Sequence, residues 1–213
     1  MMSHQLRAAL IFASAIVFSA GFVDLPAARL ALIHSADLHW IMRQLTTLGD
    51  SGWSIPAALV SVAAAMTVMA IQPRRAVLMW RNASLFVLFS LCASGLACLL
   101  LKGVIGRLRP GVMGIDDNLV FSPFTHSAQW ASFPSGHTTT AMTLAFSLGL
   151  LFPRLRDGLL VLGALVGVSR VMLGVHWVSD VIAGTWLAYV TVTLIAARFP
   201  RLLSSAPVGA ATA

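Results

Sequence analysis

Twelve residues from Ser169 to Asp180, SRVMLGVHWVSD, place an arginine, a histidine and an aspartate between two long apolar runs. Ionisable groups beside apolar spans are costly and mark functional sites by default. His176 and Asp180 stand four apart, one helical turn, so the carboxylate can reach a ring nitrogen of the imidazole. A carboxylate so placed fixes the tautomer and leaves the other nitrogen free to attack. Arg170 adds a planar, permanently charged fork suited to phosphate oxygens. One short segment thus holds a candidate nucleophile, its orienting acid and an anion clamp.

Two further stretches complete the set. Lys102 to Pro110 reads KGVIGRLRP, with six residues between Lys102 and Arg109, and Pro134 to His137 reads PSGH. Pro134 and Ser135 precede an apolar run, and proline favours the start of a helix. The amides of Ser135, Gly136 and His137 would then face an anion from a helix N-terminus. In this order, with SR-x5-H-x3-D last, the chain resembles the three-part signature of the phosphatidic acid phosphatase type 2 superfamily. That superfamily includes membrane lipid phosphatases, glucose-6-phosphatase and soluble vanadium haloperoxidases. All three motifs match without a substitution between Lys102 and Asp180.

The resemblance implies a catalytic set of His176, His137 and Asp180. His176 would attack phosphorus to give a phosphohistidine, Asp180 would orient it, His137 would protonate the departing oxygen, and water would release phosphate. Lys102, Arg109 and Arg170, with the amides of Ser135 and Gly136, would hold the phosphate. No metal and no cofactor are expected, because three cations already face the anion and no carboxylate cluster is visible. Arg107 falls outside the motif and reads as an interfacial anchor. His126 reads as a loop residue or at most a substrate contact, and the adjacent Asp116 and Asp117 as solvated. The five-residue spacing of His34 and His39 does not put both on one helical face, which argues against a metal pair.

Composition supplies the setting. Of 213 residues, 58% are hydrophobic and only 10% charged, against about 25% in a soluble domain. With mean hydropathy +0.88, an integral membrane protein is expected. The net charge of +7 does not point to nucleic acid, since the basic residues are scattered between apolar runs. Cys92 and Cys98, six apart in one run, read as packing residues without a disulfide or metal role.

The expected fold is all-α: a polytopic helical bundle with six transmembrane helices, forming one membrane domain over 1–213 with its core at 8–197. The spans are placed at 8–23, 55–71, 83–101, 134–152, 159–173 and 178–197. The first run also has the length of a signal peptide, although a retained helix is expected. Part of 24–54 is expected to lie along the interface, and 102–133 to form a lid or entrance. Gly163 and Gly167 form a small-xxx-small pair for close packing. The Ala/Ser/Pro-rich tail, 198–213, is expected to be disordered.

With both termini cytoplasmic, the inner segments hold eight basic residues and the outer ones six, three of which belong to the motifs. The positive-inside rule then puts the active site on the extracytoplasmic side, in a bacterial inner membrane by expectation. The function expected is hydrolysis of a lipid phosphate or pyrophosphate of isoprenoid, glycerolipid or lipid A type. A lipid phosphotransferase and a non-catalytic anion or lipid transporter are the alternatives. The partners expected are the lipid substrate and membrane lipids; the sequence does not decide the oligomeric state.

Overall fold

The computed structural model describes residues 4–31, 35–112, 117–125 and 127–203. Its order is α1 (His4–Phe18), a π-helical turn (Ser19–Val23), α2 (Asp24–Ala31), α3 (Ala36–Thr46), α4 (Ser51–Ile71), α5 (Arg75–Ile105), α6 (Gly136–Leu151), α7 (Arg156–Met172) and α8 (Val178–Arg198). Among the described residues there is no strand, only an isolated antiparallel bridge between Arg107 and Phe121. His34, Asp116, His126 and 204–213 lie outside the described residues.

Among the described residues, four stretches are long and apolar enough to cross a membrane: Leu6–Ala31, Ala36–Ile71, Arg75–Ile105 and Val178–Arg198. They coincide with four of the six expected spans. The other two correspond to α6 and α7, which have only 16 and 17 residues. Segment 24–54 forms α2, α3 and the start of α4, so both candidate spans near the N-terminus are longer than the apolar runs suggested.

The packing is inside-out relative to a water-soluble bundle. Leu96, Leu99 and Leu100 are 59–66% exposed, whereas Ser90, Thr143 and Ser147 are fully buried. Lipid tails are as apolar as leucine, so helices meet through small and hydroxyl-bearing residues instead. The central helix is α6, which packs against α5, α7 and α8; α4 leans on α5, α1 on α8 and α3 on α7. Thr143 of α6 donates to Ser94 Oγ of α5 at 2.9 Å. The expected glycine pair does bring helices close: a Cβ on Gly163 would lie 2.6 Å from Met142 Sδ, and one on Gly167 2.6 Å from Val181 Cγ1.

Residues 198–203 do not behave as the start of a disordered tail. A short 3-10 turn, Pro200–Leu202, folds Leu202 and Leu203 back onto the cluster of Phe86, Leu151 and Val192. The apolar pair was masked by the Ala/Ser/Pro composition that follows it.

Helix ends place the chemistry. α5 stops at Gly106, whose φ of +57° is left-handed and whose amide closes on Lys102 O at 2.9 Å. A Cβ there would sit 2.0 Å from Ser122 O, so only glycine fits. The cap leaves Lys102 in the last turn of α5 and directs the following Arg107 and Arg109 across the top of the bundle.

Candidate active site

The three motifs meet at one end of the bundle. Lys102 comes from the end of α5, Arg109 from the loop after it, His137 from the first turn of α6, Arg170 from the last turn of α7 and Asp180 from the first turn of α8. His176 lies in the link between α7 and α8. Lys102 and Arg109 lie within electrostatic range of both His137 and His176, and Arg170 within range of His137.

His176 and Asp180 pair as their spacing predicts: Nδ1 of the buried ring is 3.4 Å from Asp180 Oδ2. Burial, outweighing the carboxylate, pulls the imidazole below its ordinary 6.5 and favours the neutral, nucleophilic form. The same Asp180 oxygen accepts from Ser132 Oγ at 2.6 Å and from the Trp177 amide at 3.0 Å.

The cations are held from behind. Lys102 Nζ donates to Ala131 O, and Arg170 Nη1 to Thr46 Oγ1 at 2.9 Å. The Nε groups of Arg109 and Arg170 are buried without a hydrogen-bond partner among the described residues. Buried guanidinium donors without partners are costly, and an anion between them relieves that cost.

Beside Lys102 runs a cavity of about 480 Å³ between α4, α5 and α6. Lys102, Gly136 and His137 stand on its wall together with Leu91, Leu96 and Leu99. Charge at one end and apolar wall along the rest suit a phosphate attached to a hydrocarbon. Cys92 and Cys98 are both free and line this cavity.

Two expectations need correction. The Ser135 amide does not face an anion: it donates to Asp180 O at 3.0 Å, while its Oγ accepts from Thr138 Oγ1 at 2.9 Å. The first intrahelical bond of α6 runs from Thr139 N to Ser135 O, leaving the amides of Gly136 and His137 ahead of it for an anion. The Ser135 contact clamps α6 to α8, and Gly184 permits it, since a Cβ there would lie 2.8 Å from Ser135 O.

Arg107 is not an interfacial anchor. It is 2% exposed and pairs with Asp24 Oδ2 at 2.8 Å and with Asp180 Oδ1 at 2.6 Å. Sequence reading also passed over Asp24, Thr46, Ser132 and Ser179. For Asp24 a signal existed, because a lone acid closing an apolar run calls for a buried partner, as it did for Asp180. Asp117, by contrast, is exposed as expected, and accepts from the Leu119 amide at 2.8 Å.

Comparison with known proteins shows the family to which the chain belongs. Two curated relatives are named lipid A 1-phosphatases. The one from Rhizobium johnstonii is 35% identical over 78% of this chain and 70% of its own length. The one from Rhizobium etli is 40% identical over 61% of this chain and 56% of its own length, so little more than half of that protein is matched. A crystal structure of a transmembrane PAP2-type phosphatidylglycerolphosphate phosphatase from Bacillus subtilis superposes with TM-score 0.63 at 29% identity, covering 90% of this chain and 92% of that one. The PAP2 superfamily profile matches residues 83–203, which contain all three motifs, and the chain belongs to that superfamily.

Proposed function

We propose that the protein is a membrane phosphatase that hydrolyses lipid phosphates or pyrophosphates through a phosphohistidine at His176. The observation that carries the reading is the buried His176–Asp180 pair within electrostatic range of Lys102 and Arg109, with Lys102 and His137 on the wall of a mostly apolar cavity. The Rhizobium relatives make lipid A phosphates the first substrates to test, ahead of isoprenoid and glycerolipid phosphates.

In the first step the His176 ring nitrogen that faces away from Asp180 attacks phosphorus. A P–N bond forms, the P–O bond to the lipid breaks, and His137 gives its proton to the departing oxygen. Lys102, Arg109 and Arg170 take up the charge on the non-bridging oxygens. His137, now a base, removes a proton from water; the hydroxide oxygen bonds to phosphorus, the P–N bond breaks, and inorganic phosphate leaves. His176 returns to its neutral form with Asp180.

The reaction is metal-independent in this reading, since Asp180 and Asp24 are committed to Arg107, His176 and neighbouring donors. Purified protein in detergent should release phosphate from lipid phosphates in excess EDTA and be inhibited by vanadate, whose five-coordinate form resembles the transition state. Full loss in EDTA with recovery in Mg²⁺ would overturn the three-cation scheme. Phosphate appearing only on a second lipid would make the protein a phosphotransferase, and none released or transferred would leave a transporter.

The placement proposed is a bacterial inner membrane, crossed six times with α6 and α7 as the short spans, both termini cytoplasmic and the site outside. All three motifs lie at one end of the bundle, and Arg74, Arg75, Arg154, Arg156, Arg198 and Arg201 cluster by sequence at the opposite helix ends. Asp117 and Asp157 are exposed at opposite ends. In a Cys92→Ala, Cys98→Ala background, an impermeant thiol reagent should label Asp117→Cys but not Asp157→Cys in intact cells; the reverse pattern would invert the topology.

A further inference from the structure

The geometry points to Arg107 and Asp24 as positioning residues for the reaction: together they fix the carboxylate that orients His176, which makes the N-terminal helical segment part of the catalytic assembly. The inference rests on the role proposed for His176. Asp24 lies outside residues 83–203, the stretch matched by the family profile, and Arg107 is one of the six intervening residues of the Lys102–Pro110 motif, not one of its signature residues.

Asp180 has two oxygens with different duties. Oδ2 faces His176 Nδ1, Ser132 Oγ and the Trp177 amide. Oδ1 accepts from Arg107 Nη1 at 2.6 Å. A carboxylate turns about one bond, so a charged donor on Oδ1 fixes where Oδ2 points. The 3.4 Å separation from His176 is long for a hydrogen bond, and such contacts tighten as charge develops on the ring. Tightening needs an oxygen that stays aimed at Nδ1.

Arg107 is itself held on every side. Nε and Nη2 donate to Asn118 O at 2.9 and 2.7 Å, Nη1 to Ser179 Oγ at 2.6 Å and Nη2 to Asp24 Oδ2 at 2.8 Å. Its guanidinium carbon lies 5.4 Å from the centre of the Trp177 ring. Asp24 reaches this point because the π-helical turn Ser19–Val23 widens the chain just before it, with the Asp24 amide closing on Ser19 O. Such turns often occur at functional sites. Ser19 Oγ and the Ser179 amide both donate to Asp24 Oδ1, at 3.1 and 2.9 Å, so Asp24 also caps α8 one residue before Asp180.

Charge makes the pairing more than packing. One guanidinium between two carboxylates leaves a net negative charge, which a positively charged phosphohistidine ring balances. Without Asp24, the whole of Arg107 would bear on Asp180 and weaken its hold on His176. Without Arg107, two buried carboxylates would face each other with no cation between them.

The test uses the full chain in detergent–lipid micelles, with kcat and KM on a lipid phosphate and Ki for inorganic phosphate. Arg107→Gln leaves Asp24 buried and uncompensated, so the charge-neutral pair Arg107→Gln with Asp24→Asn is measured beside it. Arg107→Lys is the conservative variant. The expected result is a fall in kcat of about 10–100-fold in the double variant, the range typical of groups that orient a reacting side chain. KM and phosphate Ki should stay within about threefold, because Lys102, Arg109 and Arg170 are untouched. Arg107→Lys should fall between, as one ammonium cannot serve both carboxylates and Asn118 O at once. Unchanged kcat in the double variant, or a rise in phosphate Ki in step with the loss of kcat, would overturn the inference in favour of a packing role. Failure of the proposed function would show elsewhere, as a wild type that releases no phosphate or a His176→Ala variant that still does.

Discussion

His176→Ala is expected to abolish phosphate release from every lipid phosphate and pyrophosphate the protein accepts, with a loss of about 10⁴–10⁶-fold, as when a nucleophile is removed from a group that acts as a unit. The side chain is buried and paired with Asp180 at 3.4 Å, so no neighbouring group takes its place. Radiolabel from substrate should remain on the wild-type protein after an acid-free denaturing quench and be absent from the variant. The pH profile follows in sign. Burial holds the imidazole below 6.5, so the neutral form persists into mildly acidic solution. kcat/KM for the wild type should therefore hold as pH falls past 6.5 and drop only where the ring at last takes up a proton. Substantial turnover by His176→Ala would remove the covalent route.

His137→Ala divides substrates by their leaving groups. A lipid monophosphate expels an alkoxide, a strong base that needs a proton as the bond breaks. A lipid pyrophosphate expels a phosphate, a far weaker base that departs with less help. General acids contribute about 10²–10⁴-fold, and that loss is expected for monophosphates. For pyrophosphates the loss should stay below about tenfold. The geometry allows the role, since His137 is half-buried on the wall of the cavity that Lys102 also lines. One preparation of each protein and kcat/KM on two substrates suffice. Equal losses on both would make His137 a phosphate ligand instead of an acid.

Local spacing made the reacting groups legible, and long-range pairing hid their supports. The His176–Asp180 contact follows from a four-residue interval, and the three motifs announced the cations. Arg107 looked like an anchor because its partner Asp24 is 83 residues away, and no local pattern joins them. The Ser135 amide was assigned to an anion because a helix N-terminus usually offers one. The competing acceptor, Asp180 O, arrives on a different helix. Four helices were legible from apolar length alone, whereas α6 and α7 were placed from motifs and prolines. The hydroxyls of Thr138, Thr139, Thr140 and Thr143 lower the apolar signal of α6 because they face protein instead of lipid.

The unequal helix lengths bear on where a lipid must go to react. α6 has 16 residues, a rise of about 24 Å, and its far end packs at Leu151 beside Phe86 of α5. A hydrocarbon layer is about 30 Å thick. In the placement proposed above, with Arg154 and Arg156 at the cytoplasmic boundary, Gly136 and His137 would come to rest about 6 Å short of the opposite one. A phosphate resting among lipid head groups must therefore sink, or the bilayer must dimple around the site to meet it. Membrane thickness then enters the rate as a work term: thin bilayers present the head group at the depth of the cations, and thick ones hold it above them.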